Sequence, residues 1–74
     1  MVVELALFTH YRVYPLSTRT GWLERITPAL RPWRNCIFQV WNEYDDHTLL
    51  HYRTIKRLDP ERLVTNSPGG ADAA

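Results

Sequence analysis

The chain has 74 residues, 45% hydrophobic and 23% charged, with a net charge of +1. That balance is typical of a globular piece and excludes a disordered tail. The low net charge excludes an electrostatic nucleic-acid binder and gives no attraction to an acidic membrane surface.

One small domain is the upper limit. Chains of this size bury roughly 60% of the surface their unfolded form exposes, so their stability is marginal. Three Trp, four Tyr and two Phe are many rings for so short a chain. They must be buried or serve as binding surface. The single cysteine, Cys36, cannot form an internal disulfide, and no Cys cluster points to zinc. Lying in an apolar run, it reads as a structural thiol. The start Met1-Val2-Val3-Glu4 lacks the basic region of a secretory signal. No apolar run approaches the ~20 residues of a membrane span.

Residues 2–9 are mostly apolar, with β-branched and aromatic members, and predict a buried strand. Residues 10–14 either extend it or begin a loop. Residues 15–20 are loop-like in composition. Thr20 is the expected N-cap of a helix over 21–31, because its hydroxyl can accept from a first-turn N–H. Trp22, Leu23, Ile26, Ala29 and Leu30 form one face of that helix. Pro28 predicts a kink or a restart, and Pro32 marks the end.

Residues 36–41 form a second apolar run with Gln39 as the only polar member. Near-continuous apolar strands are what a parallel sheet covered on both faces requires. Asp46 is the expected cap of a helix over 47–58, which Asp59-Pro60-Glu61-Arg62 ends. Residues 63–65 predict a short third strand, 66–70 a loop, and 71–74 a disordered tail. The fold class expected is α/β, a β-α-β-α-β unit with three parallel strands and right-handed crossovers.

In such a sheet the functional edge lies beyond the carboxyl ends of the strands. Three polar clusters fall there: His10-Tyr11-Arg12, Asn42-Glu43-Tyr44-Asp45-Asp46 and Asn66-Ser67-Pro68. Side chains alternate along a strand, so Ile37, Gln39, Trp41 and Glu43 are expected on one side. Facing a cavity beside the Trp41 ring, Glu43 would have the raised pKa of a general acid. Equally, Glu43 could simply begin a loop and face water.

The run Ile37-Phe38-Gln39-Val40-Trp41-Asn42-Glu43 resembles the fourth barrel strand of clan A glycoside hydrolases. Asp59-Pro60 before the third strand is similar to the passage into their fifth. The resemblance spans residues 2–70 and implies that 1–70 are a partial (β/α)₈ barrel covering strands three to five. A whole barrel takes about 250 residues. The resemblance makes Glu43 the acid/base of a retaining mechanism. Asn42 would bind a neighbouring sugar hydroxyl, with His10, Trp41 and Asn66 as further substrate contacts. Many clan members carry Pro after the Glu, where this chain has Tyr44. The nucleophile, about 5–5.5 Å from the acid/base in retaining enzymes, comes from strand seven in this clan. That places it outside this stretch.

No metal or organic cofactor is implied, and carbohydrate is the expected partner. His47 and His51 are one helical turn apart but lack a third ligand, so a solvated face is the expectation. Arg53, Lys56 and Arg57 are expected on the outer face of the second helix. Two rival readings stand beside the enzyme. One is a carbohydrate-binding module that uses exposed rings. The other is a self-associating fragment with open sheet edges.

Overall fold

A computed structural model describes residues 1–42 and 44–67. The chain runs β1 (Val3–Thr9), α1 (Leu16–Leu30), β2 (Cys36–Asn42), α2 (Thr48–Leu58) and β3 (Val64–Ser67). All strand pairs are parallel, in the order β1-β2-β3. The expected small α/β unit of three parallel strands and two helices is therefore the observed fold. Glu43 and residues 68–74, including the expected tail, lie outside the described residues.

Register explains which residues are inside. Leu5, Phe38 and Val64 form one cross-strand row, and all three belong to the core. The neighbouring row of Ala6, Gln39 and Thr65 is partly or fully exposed. Leu23 of α1 and Ile55 of α2 close over the first row, beside Val40 and Trp41. Each such side chain contributes on the order of 1.5–3 kcal/mol by leaving water. The half-buried Cys36 thiol is free and packs against this cluster.

Three expected boundaries move. Helix α1 begins at Leu16 rather than Gly21, so Thr20 lies inside it and is not its cap. Pro15 sits immediately ahead with φ −54°, and its carbonyl accepts the Arg19 N–H at 3.1 Å. A proline with that φ is pre-set for helix entry, which composition alone reads as loop. Helix α1 also runs through Pro28 as one element. Helix α2 begins at Thr48, and its N-cap is His47 in the left-handed region (φ 51°), with no side-chain cap bond. The Asp46 carboxylate is committed to Arg19 instead. Finally, β3 extends through Asn66 and Ser67, because Ser67 pairs with Asn42.

The amino-terminal edge of the sheet is fastened by a buried charge cluster. Arg62 is 1% exposed, and its guanidinium lies 4.7 Å over the Phe38 ring. It donates to the carbonyls of Leu30 (2.6 Å), Trp33 (2.7 Å) and Cys36 (2.6 Å) and pairs with Asp59 at 3.1 Å. Asp59 has no exposed surface and also takes a two-bond contact from Arg34. The end of α1, the start of β2 and the approach to β3 thus share one guanidinium. The hydrogen bond from Arg34, then the charges of the three arginines around it, hold the Asp59 carboxyl below its ordinary range.

Removing Arg62 takes one cation from the buried Asp59 and leaves the carbonyls of Leu30, Trp33 and Cys36 without this donor, a loss on the order of 3–5 kcal/mol. Arg62→Met should therefore lose the cooperative urea transition of the wild-type chain, followed by far-UV circular dichroism. A variant with an unchanged midpoint would show that the cluster contributes nothing to folding.

Candidate functional site

The carboxyl ends of the strands meet as the topology requires. Thr9 of β1 and Ser67 of β3 both register with Asn42, the last residue of β2. The described strand-end residues of the three sequence clusters are thereby brought to one edge. His10 and Tyr11 form a tight turn closed by a Thr9–Arg12 bridge, and their rings lie 4.2 Å apart. His10 and Asn42 are exposed at the rim. Glu43 follows Asn42 directly in sequence.

The alternation expected along β2 is broken. Val40 and Trp41 are adjacent, yet both are buried. The pairing of β2 with β3 shifts register between Gln39 and Asn42, where β2 carries one extra residue. A bulge of this kind leaves a backbone group unpaired and re-aims the side chains beyond it. Asn66 repairs the ladder: its Oδ1 accepts the Trp41 backbone N–H at 2.9 Å. The bulge turns Trp41 into the core, with no exposed surface. Its ring packs on Phe8 (5.3 Å), Tyr44 (5.0 Å) and His51 (6.1 Å). In the described residues Trp41 supports the rim and presents no face for stacking.

Beneath the rim lies a polar network that composition and spacing did not single out. Arg19, 4% exposed, donates from Nε to the Tyr14 carbonyl at 2.9 Å and from Nη2 to Asp46 Oδ2 at 2.8 Å. Its guanidinium lies 5.0 Å over the Trp41 ring. Nη1 meets His51 Nε2 at 2.9 Å and the Asp46 carbonyl at 3.4 Å. The Trp41 indole N–H donates to that same carbonyl at 2.9 Å. His47 Nδ1 is 3.0 Å from Asp46 Oδ2. Asp46 is held below the ordinary carboxylate range by the hydrogen bond to His47 first and to Arg19 second.

His51 is thus not on a solvated face. It has no exposed surface, because α2 turns this side toward Phe8 and Trp41. Burial first, then the charge of Arg19, push the imidazole down to about 4. The signal for the missed arginine was its spacing. Arg19, Leu23 and Thr27 are the buried residues of α1, at i, i+4 and i+8. Reading α1 from Gly21 cut Arg19 off that stripe. Arg57 does lie outside, in an exposed pair with Glu24 at 3.3 Å.

An apolar cavity of about 350 Å³ opens beside this network, between Leu7, Phe8 and Trp22. A more open depression of about 750 Å³ reaches from Asn66 past Asp45 and His47 to Arg53. Among the described residues no group of three His, Cys, Asp or Glu side chains could hold a metal ion. No helix among them is long and apolar enough to cross a membrane. No family model matches the sequence, and no curated protein or solved structure gives a significant match.

Asn66→Ala should leave the Trp41 N–H without an acceptor, at a cost of about 1–3 kcal/mol. Asn66→Asp keeps the Oδ1 acceptor and should recover most of that loss in urea titrations. Equal destabilisation by both variants would show that the Oδ1 bond is not what fastens the bulge.

Proposed function

We propose that the chain is a segment of a retaining (β/α)₈ glycoside hydrolase, covering barrel strands three to five and carrying the acid/base Glu43. The observation that supports this reading most is the position of Asn42. It ends the central strand of a parallel sheet, with the carboxyl ends of both neighbours in register beside it. That is where an α/β barrel gathers its catalytic groups.

In this reading Glu43 protonates the leaving oxygen of an O-glycosidic bond and then removes a proton from the attacking water. Asn42 binds the hydroxyl next to the cleaved bond, and His10 lines the same rim. The second carboxylate of a retaining mechanism lies about 5–5.5 Å from the first and attacks the sugar. Neither nearby aspartate suits that role. Asp45 accepts from the Thr48 hydroxyl, and Asp46 is paired with Arg19. As in the clan that the sequence resembles, the nucleophile in this reading comes from a later barrel strand.

A second reading has its own observation. Among the described residues β1 and β3 each have one neighbour, which leaves an unpaired edge on either side of the sheet. Open edges pair readily with other chains. Concentration-dependent oligomers in sedimentation would favour an assembly role.

The test is hydrolysis of aryl glycosides by the 74-residue chain and by the longer reading frame that contains it. The chain alone should give no turnover. In the longer protein Glu43→Gln should lower kcat/KM by ~10²–10⁴-fold, the usual contribution of a general acid/base. Glu43-dependent turnover by the chain alone would sink the segment reading. An unimpaired Glu43→Gln barrel would sink the acid/base assignment.

A further inference from the structure

The segment from Asp45 to His47 follows the strand end directly and is fastened chiefly through Arg19. That arginine holds the Asp46 carboxylate and carbonyl, while the Trp41 indole N–H shares the carbonyl. The fourth partner of the guanidinium is His51 Nε2, at 2.9 Å and buried. A guanidinium only donates, so Nε2 must offer its lone pair and the ring proton must sit on Nδ1. Nδ1 is itself buried, with no hydrogen-bond partner among the described residues.

We propose that the Arg19–His51 contact is an acid-sensitive latch, which holds the Asp45–His47 segment against the end of β2 and releases it when the imidazole takes up a proton. The proton can enter only at Nε2. There it sets one N–H against another and adds a positive charge beside a permanently charged guanidinium. Among the described residues no acceptor near Nδ1 offsets the cost. Of their charged groups around the ring, all oppose the new charge except one. Arg19 comes from α1, and His47 lies one turn earlier at the start of α2. Asp46 is the one that attracts, and its Oδ2 is already shared by Arg19 and His47. The described residues of β1 and β2 contribute the rings of Phe8 and Trp41. Relief comes by moving the guanidinium away, which gives up its bonds to Asp46.

The sign follows from the direction of the shift. The closed form binds a proton more weakly than a free imidazole, whose ordinary value is 6.5. The latch is therefore fully favoured above that pH and weakens steadily as pH falls from there toward about 4, the value of the closed, buried ring, so it opens within that interval. Asp46 and Asp59 are each held below the ordinary carboxylate range by their hydrogen-bond partners, so the imidazole is the first of these groups to change charge as pH falls from neutral. The latch is independent of the role of Glu43, and its test does not involve that residue.

The measurement is NMR of the 74-residue chain from pH 7.5 to 3.5, following the Trp41 indole N–H and the His51 ring. Both should move together in one step with a midpoint well under 6.5, while far-UV circular dichroism stays unchanged. In His51→Gln, whose carboxamide oxygen can still accept from Arg19, the Trp41 step between pH 6.5 and 4 should vanish. A step that persists in this variant overturns the latch. So does a His51 ring that ionises while the indole stays still. Loss of ellipticity at the same midpoint also overturns it, in favour of global acid unfolding. If the variant fails to fold, coincidence of the two wild-type signals decides the matter alone.

Discussion

Everything in this small sheet depends on how buried arginines are neutralised. Arg62 is the stronger case. Its guanidinium is out of water, so each N–H must find an acceptor or the fold loses more than it gains. The acceptors it finds belong to the end of α1, the turn after it, the start of β2 and Asp59. Elements far apart in sequence are thereby fixed at one point. Arg62 Nε is the exception, buried without a partner among the described residues.

Arg19 repeats the device at the other end of β2. Both guanidinium groups lie over an aromatic ring of that strand, Arg62 over Phe38 and Arg19 over Trp41. Both pair with an aspartate at an end of α2 and also accept the role of closing main-chain carbonyls. The central strand is thus clamped at its two ends by cations that arrive from other elements. Between the clamps the core is thin, which is expected where so few residues can be buried. The difference between the ends is chemical. Among the described residues, the Arg19 end has an imidazole, His51, against its guanidinium, and the Arg62 end has none.

The bulge in β2 links these clamps to the candidate rim. By placing Val40 and Trp41 both inside, it commits the Trp41 ring to the core and leaves Asn42 at the exposed edge. Asn66 is committed to the bulge rather than left free at the rim. Of the residues expected to meet a sugar, His10 and Asn42 are the two that stand exposed. The proposed acid/base is the next residue along the chain.

Much of the architecture was legible because it rests on local pattern. Apolar runs of strand length, alternating with helical stretches, specify a parallel β-α-β-α-β unit whatever the details of packing. They also place the polar clusters at the carboxyl ends of the strands. Boundaries were less legible. Pro15 reads as loop by composition and acts as helix entry by geometry, and that error hid Arg19. The bulge, the burial of His51 and the two arginine clamps were not legible at all. Each depends on at least one contact between residues more than twenty positions apart, such as Trp41–Asn66, Arg19–His51 and Arg62–Leu30, where the deciding quantity is a buried polar group finding its partner. Hydrophobic periodicity records which face of an element turns inward. It carries no record of which distant carbonyl or carboxylate will satisfy a buried guanidinium, and only the tertiary structure decides that.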